Sequence, residues 1–254
     1  MDLYWFEQTI ADVPAQDDWL SPREQVQLSQ FRFAKRRDDW RLGRWTGKQA
    51  LALFFDFIAV PSVLAKVEII PAACGAPEAF FSNVPAPVNI SLSHRAHRAA
   101  CCIGPAKAEM GCDVELAEPR SDVFIADYFT AEEQNFLAGS AGSERWWLTA
   151  LFWSAKESAL KALRQGLRGD PRSWSVKSPD SANVTSAWQM LEVRARERTL
   201  KGWWRYADGM ARTVVADPVS NAPISLESVD TPAQHRILPF QSERNSAGRC
   251  DPPG

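Results

Sequence analysis

The chain has 254 residues, 45% of them apolar, and its 29 Lys and Arg against 31 Asp and Glu leave a formal charge of −2. That length supports one large domain or two small lobes with real cores, and the near balance of charge excludes a whole-molecule attraction to nucleic acid or anionic membrane. No apolar run is long enough to span a bilayer, and the opening Met-Asp-Leu-Tyr-Trp-Phe lacks the basic-then-apolar order of a signal peptide.

Leu3 to Ile10 reads as a first strand. Ser21-Pro22-Arg23-Glu24 has the form of a helix start, with Ser21 as cap and Pro22 in the first turn. From Arg32 the chain is basic, and a second helix is expected to run through to Phe55. On it Arg37, Arg41, Arg44 and Lys48 recur at helical spacing and form one stripe, either a solvated face or an anion-binding one. Val67 to Ile70 is a short strand, and Pro71 to Pro87 is expected to be irregular. Val88 to Ser93 is a strand ending at His94, Arg98 to Ile103 another, and Gly111 to Leu116 a third. Thr130-Ala131-Glu132-Glu133 is a capping box for a short helix closed by Gly139. Ser143 to Arg164 is a long helix stopped by Gly166. Strands follow at Trp174–Val176, Ala187–Val193, Gly202–Tyr206 and Ala211–Ala216, and a polar, peripheral tail is expected from residue 218. The five cysteines have neither CxxC nor zinc-ligand spacing, so reduced thiols and a cytoplasmic location are expected. Most of the eleven tryptophans are expected to be buried.

Two stretches carry the chemistry. In Gly111-Cys112-Asp113-Val114-Glu115 the strand period sends both carboxylates to one face. In Trp153-Ser154-Ala155-Lys156-Glu157-Ser158-Ala159-Leu160-Lys161 the helical period puts Glu157 and Lys161 one turn apart. If those faces meet, Asp113, Glu115 and Glu157 cluster beside a lysine. Such a cluster suits a hard divalent cation, Mg²⁺ or Mn²⁺, completed by water and phosphate. Taken singly, the strand pair could be solvated and the helix pair an ordinary surface one. Ser93-His94 at a strand end could contact phosphate or simply form a turn. Adjacent Ser and His do not make a hydrolytic triad, and no Walker, GxGxxG or HExxH pattern is present.

In this order, Ser93-His94, Gly111 to Glu115 and Trp153 to Lys161 resemble the motifs of the two-lobed, surfactin-synthetase-activating type of 4′-phosphopantetheinyl transferase, over roughly residues 1–217. The resemblance implies an α/β (α+β) pseudo-dimer of two similar lobes with the active site in the cleft between them. The lobes would be 1–104, which binds coenzyme A, and 105–217, which carries the metal and catalytic residues; 218–254 would be the tail. It implies a monomer that moves 4′-phosphopantetheine from coenzyme A to a serine of an acyl or peptidyl carrier protein, for nonribosomal peptide or polyketide synthesis. Asp113, Glu115 and Glu157 would hold Mg²⁺, Glu157 would be the base, and Lys161 with Lys156 would steady the phosphates. Ser93, His94 and Asp113, with Arg41, Arg44 and Lys48, would bind coenzyme A.

One departure matters. Many members carry a Gly-Lys-Pro loop before the Ser-His strand, where this chain reads Gly75-Ala76-Pro77. Loss of that cation forfeits about 1.5–3 kcal/mol of charge-assisted bonding, which Arg36, Arg37, Arg41, Arg44, Lys48 or Arg95 would have to replace. The carrier dock is expected on Phe124 to Phe136 with Trp146 and Trp147. Two other functions compete: a non-catalytic protein that binds coenzyme A or a carrier, motivated by Ala76, and a Mg²⁺-dependent phosphoesterase that uses water as nucleophile.

Overall fold

A computed structural model describes residues 1–165, 169–179 and 185–226. In chain order the elements are β1 (Tyr4–Thr9), α1 (Pro22–Ser29), α2 (Ala34–Phe55), α3 (Pro61–Leu64), β2 (Val67–Pro71), β3 (Pro77–Phe81), β4 (Val84–Pro85), β5 (Val88–Arg95), β6 (Arg98–Pro105) and β7 (Glu109–Leu116). Then follow α4 (Asp122–Tyr128), α5 (Ala131–Ala138), α6 (Gly142–Ala162), β8 (Ser175–Val176), β9 (Gln189–Arg194), β10 (Thr199–Ala207), β11 (Met210–Asp217) and β12 (Ile224–Ser225). The architecture is mixed α+β. One sheet runs β12-β1-β6-β5, a second β7-β11-β10-β9-β8, and a small third β2-β3-β4.

Each large sheet has one long helix against it. The apolar face of α2, with Leu51 and Phe55, packs with Phe6, Ile90 and Ile103 of the first sheet. Leu148, Leu151 and Phe152 of α6 pack with Leu191, Val193 and Val215 of the second. A third cluster joins the halves: Leu3, Trp5, Ala100 and Cys102 meet Met110, Cys112, Val114 and Val214. Burial of these side chains, worth about 1.5–3 kcal/mol each, fixes the two sheets against one another.

The same buried arrangement occurs in both halves. Ser21 caps α1, and Glu24 returns its carboxylate to the Ser21 N–H, 3.0 Å away. The Lys48 ammonium, wholly enclosed, donates to Glu24 Oε2 at 2.5 Å and to the carbonyls of Trp19 and Leu64. Glu24 Oε1 accepts from the Ile69 N–H of β2. Between 107 and 109 residues further on, Thr130 caps α5 and Glu133 returns to the Thr130 N–H. There Lys156, equally enclosed, reaches Glu133 Oε2 at 2.7 Å and the carbonyls of Tyr128 and Pro171. Glu133 Oε1 accepts from the Val176 N–H of β8. In both halves one lysine ties a helix start, a loop and a strand together, and every partner around it is satisfied.

Three expectations change. The stretch 71–87 is not irregular throughout, because β3 and β4 form a hairpin over the Ser82-Asn83 turn, both residues having positive φ. Helix α6 ends at Ala162 rather than at Arg164, and the expected stop, Gly166, lies outside the described residues. The expected tail does not leave the fold at 218: β12 pairs in parallel with β1, and Leu226 is buried in the first core. The rest of that segment, 227–254, lies outside the described residues.

Candidate active site

Strand β5 is one edge of the first large sheet and β7 one edge of the second, and they face each other. Hydroxyls join them where a ladder would otherwise form: Ser91 Oγ accepts from the Cys112 N–H at 2.9 Å and Ser93 Oγ from the Val114 N–H at 3.3 Å. Edge N–H groups of β7 that burial would have orphaned are thereby satisfied. Ser93 also donates to Asp113 Oδ1 at 2.7 Å. Ser93 is buried and turned toward β7, so the structure shows it orienting Asp113 rather than open to a phosphate.

On the other face of β7, α6 lies unusually close. A Cβ on Gly111 would come within 2.1 Å of the Ser158 carbonyl oxygen and 2.6 Å of the Ala162 nitrogen, so only glycine fits. This approach brings the Lys161 ammonium to 2.7 Å from Asp113 Oδ1 and 3.0 Å from the Cys112 carbonyl. Burial alone would depress Lys161; the charge of Asp113 and its hydrogen bond, with Glu157, outweigh that and hold it above the usual lysine value. Burial raises Glu157, and Asp113 adds to the rise. Glu115 is pushed up to about 7, first by burial and then by Asp113, with Arg95, Arg120 and Lys161 pulling it down. Arg95 lies 3.4 Å and Arg120 3.1 Å from Glu115 Oε2.

Glu157 and Lys161 open onto a pocket of about 480 Å³. Its floor is Asn89 to Leu92 of β5, and its far wall is the loop Cys74-Gly75-Ala76-Pro77 of the first half. Arg164, just past the end of α6, lines it as well. A second pocket, of about 350 Å³, sets His94 beside Lys35, Arg36, Asp39 and Trp40. Desolvation there lowers the His94 imidazole, while Asp39 and Asp113 oppose the shift.

The donor chemistry fits a hard divalent cation. Asp113 Oδ2 is buried with no hydrogen-bond partner, and Asp113 raises both Glu115 and Glu157, the self-repulsion that a cation would relieve. As positioned, however, no three His, Cys, Asp or Glu side chains among the described residues close on one point, and Glu115 is occupied by arginines.

The basic stripe of α2 does not reach this site. Arg41 is bound to Asp17 at 2.7 Å and to the Pro14 carbonyl; Arg44 sits over the Trp40 ring, lowered to about 10 by burial; Lys48 is the core lysine above. Helical spacing gave the stripe correctly, but Asp17 and Glu24 on the preceding segment draw it inward. Lys156 is drawn inward in the same way: it is bonded to Glu133 and does not line the pocket that its neighbour Glu157 lines. Of the expected dock, Trp147 is buried and stacks on Trp204 at 6.0 Å, and Phe129 is buried too, while Tyr128 and Trp146 are exposed, as is Val123 just before the expected stretch.

Residues 109–207, β7 to β10, match the model of the 4′-phosphopantetheinyl transferase superfamily. Asp113, Glu115, Glu157 and Lys161 all lie within the matched stretch. No curated protein matches the chain. Among the described residues no helix is long and apolar enough to cross a membrane.

Proposed function

We propose that the protein is a Mg²⁺-dependent 4′-phosphopantetheinyl transferase of the two-lobed, surfactin-synthetase-activating type, acting on coenzyme A and an acyl or peptidyl carrier protein. The observation that carries this reading is that Glu157 and Lys161, the latter held by Asp113, line a pocket whose far wall comes from the other half of the chain. The repeated Glu24–Lys48 and Glu133–Lys156 arrangements support two similar lobes, 1–104 and 105–217, forming a pseudo-dimer, with 218–226 strapping back onto the first. At the positions equivalent to Glu157 and Lys161, counted from the two core lysines, the first half has Gln49 and Leu53. This reading therefore has one active site per chain and needs no second copy.

In the reaction a carrier serine Oγ attacks the phosphorus that bears the pantetheine arm. A new P–O bond forms, the P–O bond to the adenosine 3′,5′-bisphosphate breaks, and the serine proton passes to Glu157. The elevated Glu157 pKa makes it a better proton acceptor than an ordinary carboxylate. Lys161, held charged by Asp113, keeps donor capacity beyond its two protein bonds and steadies the phosphates. Asp113, Glu115 and Glu157 would hold Mg²⁺, whose chemistry is to neutralise pyrophosphate charge. Ser93 positions Asp113, and His94 with Lys35 and Arg36 offers a second anion-binding region. The exposed Val123, Tyr128 and Trp146 form the candidate carrier dock, and secondary metabolism in the cytoplasm is the expected setting.

The loop Gly75-Ala76-Pro77, which brings no cation to the pocket, motivates a second reading: a protein that binds coenzyme A without transfer. Chromatographic assay of adenosine 3′,5′-bisphosphate separates the readings. Release that requires an apo carrier protein supports transfer; release without carrier indicates a phosphoesterase, and binding without release indicates the non-catalytic protein.

A further inference from the structure

We infer that Arg164 binds a phosphate of coenzyme A and supplies the cation that the Ala76 loop lacks; the inference rests on the transferase reading. Among the described residues, the two cations on the wall of the 480 Å³ pocket are Lys161 and Arg164. Lys161 spends two of its three donors on Asp113 and the Cys112 carbonyl, which leaves one for a phosphate. Among the described residues the Arg164 side chain pairs with Glu78 Oε1 alone, at 3.3 Å, and both side chains of that pair are 42% exposed. Such an exposed pair is worth little and exchanges readily for a phosphate.

The backbone gives an independent reason. The Gln165 N–H bonds the Leu160 carbonyl and the Arg164 N–H the Lys161 carbonyl, so α6 ends in a Schellman motif. Arg164 occupies its left-handed position, with φ of 54°, where glycine is the favoured residue. An arginine held there against local preference turns its side chain back over the end of α6, into the pocket and across to β3. The carbonyl end of a helix repels anions, so a phosphate bound here needs a cation at that place, and Arg164 stands there.

The test is binding of coenzyme A and of 3′-dephospho-coenzyme A to the full chain by calorimetry. Arg164→Gly relieves the left-handed strain, so the variant folds at least as well as the wild type. It is expected to bind coenzyme A about tenfold more weakly, the loss of one charge-assisted contact at a half-exposed site. Ala76→Lys in the Arg164→Gly background is expected to restore affinity, and Glu78→Gln alone to raise it, because it releases Arg164. If the Arg164→Gly loss persists with the dephospho compound, the contact is to the pyrophosphate; if it vanishes, the contact is to the 3′-phosphate. Unchanged affinity in Arg164→Gly, with wild-type binding intact, overturns this inference alone. Failure of the wild type to bind coenzyme A overturns the transferase reading with it.

Discussion

Replacing Lys156 by Met separates a core role from a phosphate-binding one. The Lys156 ammonium is fully enclosed, with Glu133 at 2.7 Å and the Tyr128 and Pro171 carbonyls at 3.0 Å each. Methionine keeps the volume but leaves the Glu133 carboxylate buried without its counter-charge, at about 3–5 kcal/mol for a broken buried pair. Two carbonyls also lose a donor, at about 1 kcal/mol each, partly offset by the apolar side chain. A net loss of about 4 kcal/mol is a large share of the 5–15 kcal/mol typical of a folded chain, and at roughly 2–4 °C per kcal/mol it lowers the midpoint by about 10–15 °C. Glu133→Gln added to Lys156→Met should recover part of the loss, since it removes the unpaired charge, although its single amide oxygen can accept from only one of the Thr130 and Val176 N–H groups that the two carboxylate oxygens serve. Lys48→Met should lose a similar amount for the same reason in the first half. Thermal melts followed by tryptophan fluorescence give the magnitude. A Lys156→Met protein that melts with the wild type yet no longer binds coenzyme A would refute this account of the residue.

Gly111→Ala should leave the protein folded but force α6 away from β7, separating Glu157 from Asp113; transfer should fall at least 100-fold by about the sensitivity of reacting geometry to a 1 Å displacement, checked by kcat. In metal-free protein Glu115 has a native pKa near 7, above its ordinary value of 4.5, so the folded state binds the proton more tightly and stability falls as pH rises from about 4.5 through 7. Glu115→Gln should therefore stabilise the protein at pH 8 and change little at pH 5, as read from urea midpoints at the two values. Leu226→Ala should cost about 2–4 kcal/mol in denaturant titration, because Leu226 lies in the first core rather than in a peripheral tail.

Periodicity made most of this fold legible. The strand repeat around Asp113 and the helix repeat around Glu157 gave their faces correctly, and the cap at Ser21 and the capping box at Thr130 stand where the sequence puts them. What periodicity does not give is the partner of a face. The stripe Arg41-Arg44-Lys48 is one face of a helix, but only the return of residues 14–24 across it decides that the face is internal. Lys156 fails in the same way, since its glutamate lies 23 residues upstream on α5. A readable signal was missed: the Lys48 and Lys156 surroundings repeat as Trp-Thr-Gly-Lys and Trp-Ser-Ala-Lys, each downstream of a Ser/Thr-x-x-Glu cap. The hairpin of β3 and β4 was hidden by flanking proline, although Ser82-Asn83 between Phe81 and Val84 is a two-residue turn. Arg164 had no local signal, because its position depends on where α6 stops.

Intact-mass measurement of an apo peptidyl carrier protein, incubated with this protein, coenzyme A and Mg²⁺, tests the central claim most directly. The account predicts a gain of one phosphopantetheine by wild type, none with EDTA, and none by a folded Glu157→Gln variant. An undiminished gain by Glu157→Gln, or no gain by the wild type with any of several carriers despite bound coenzyme A, would contradict it.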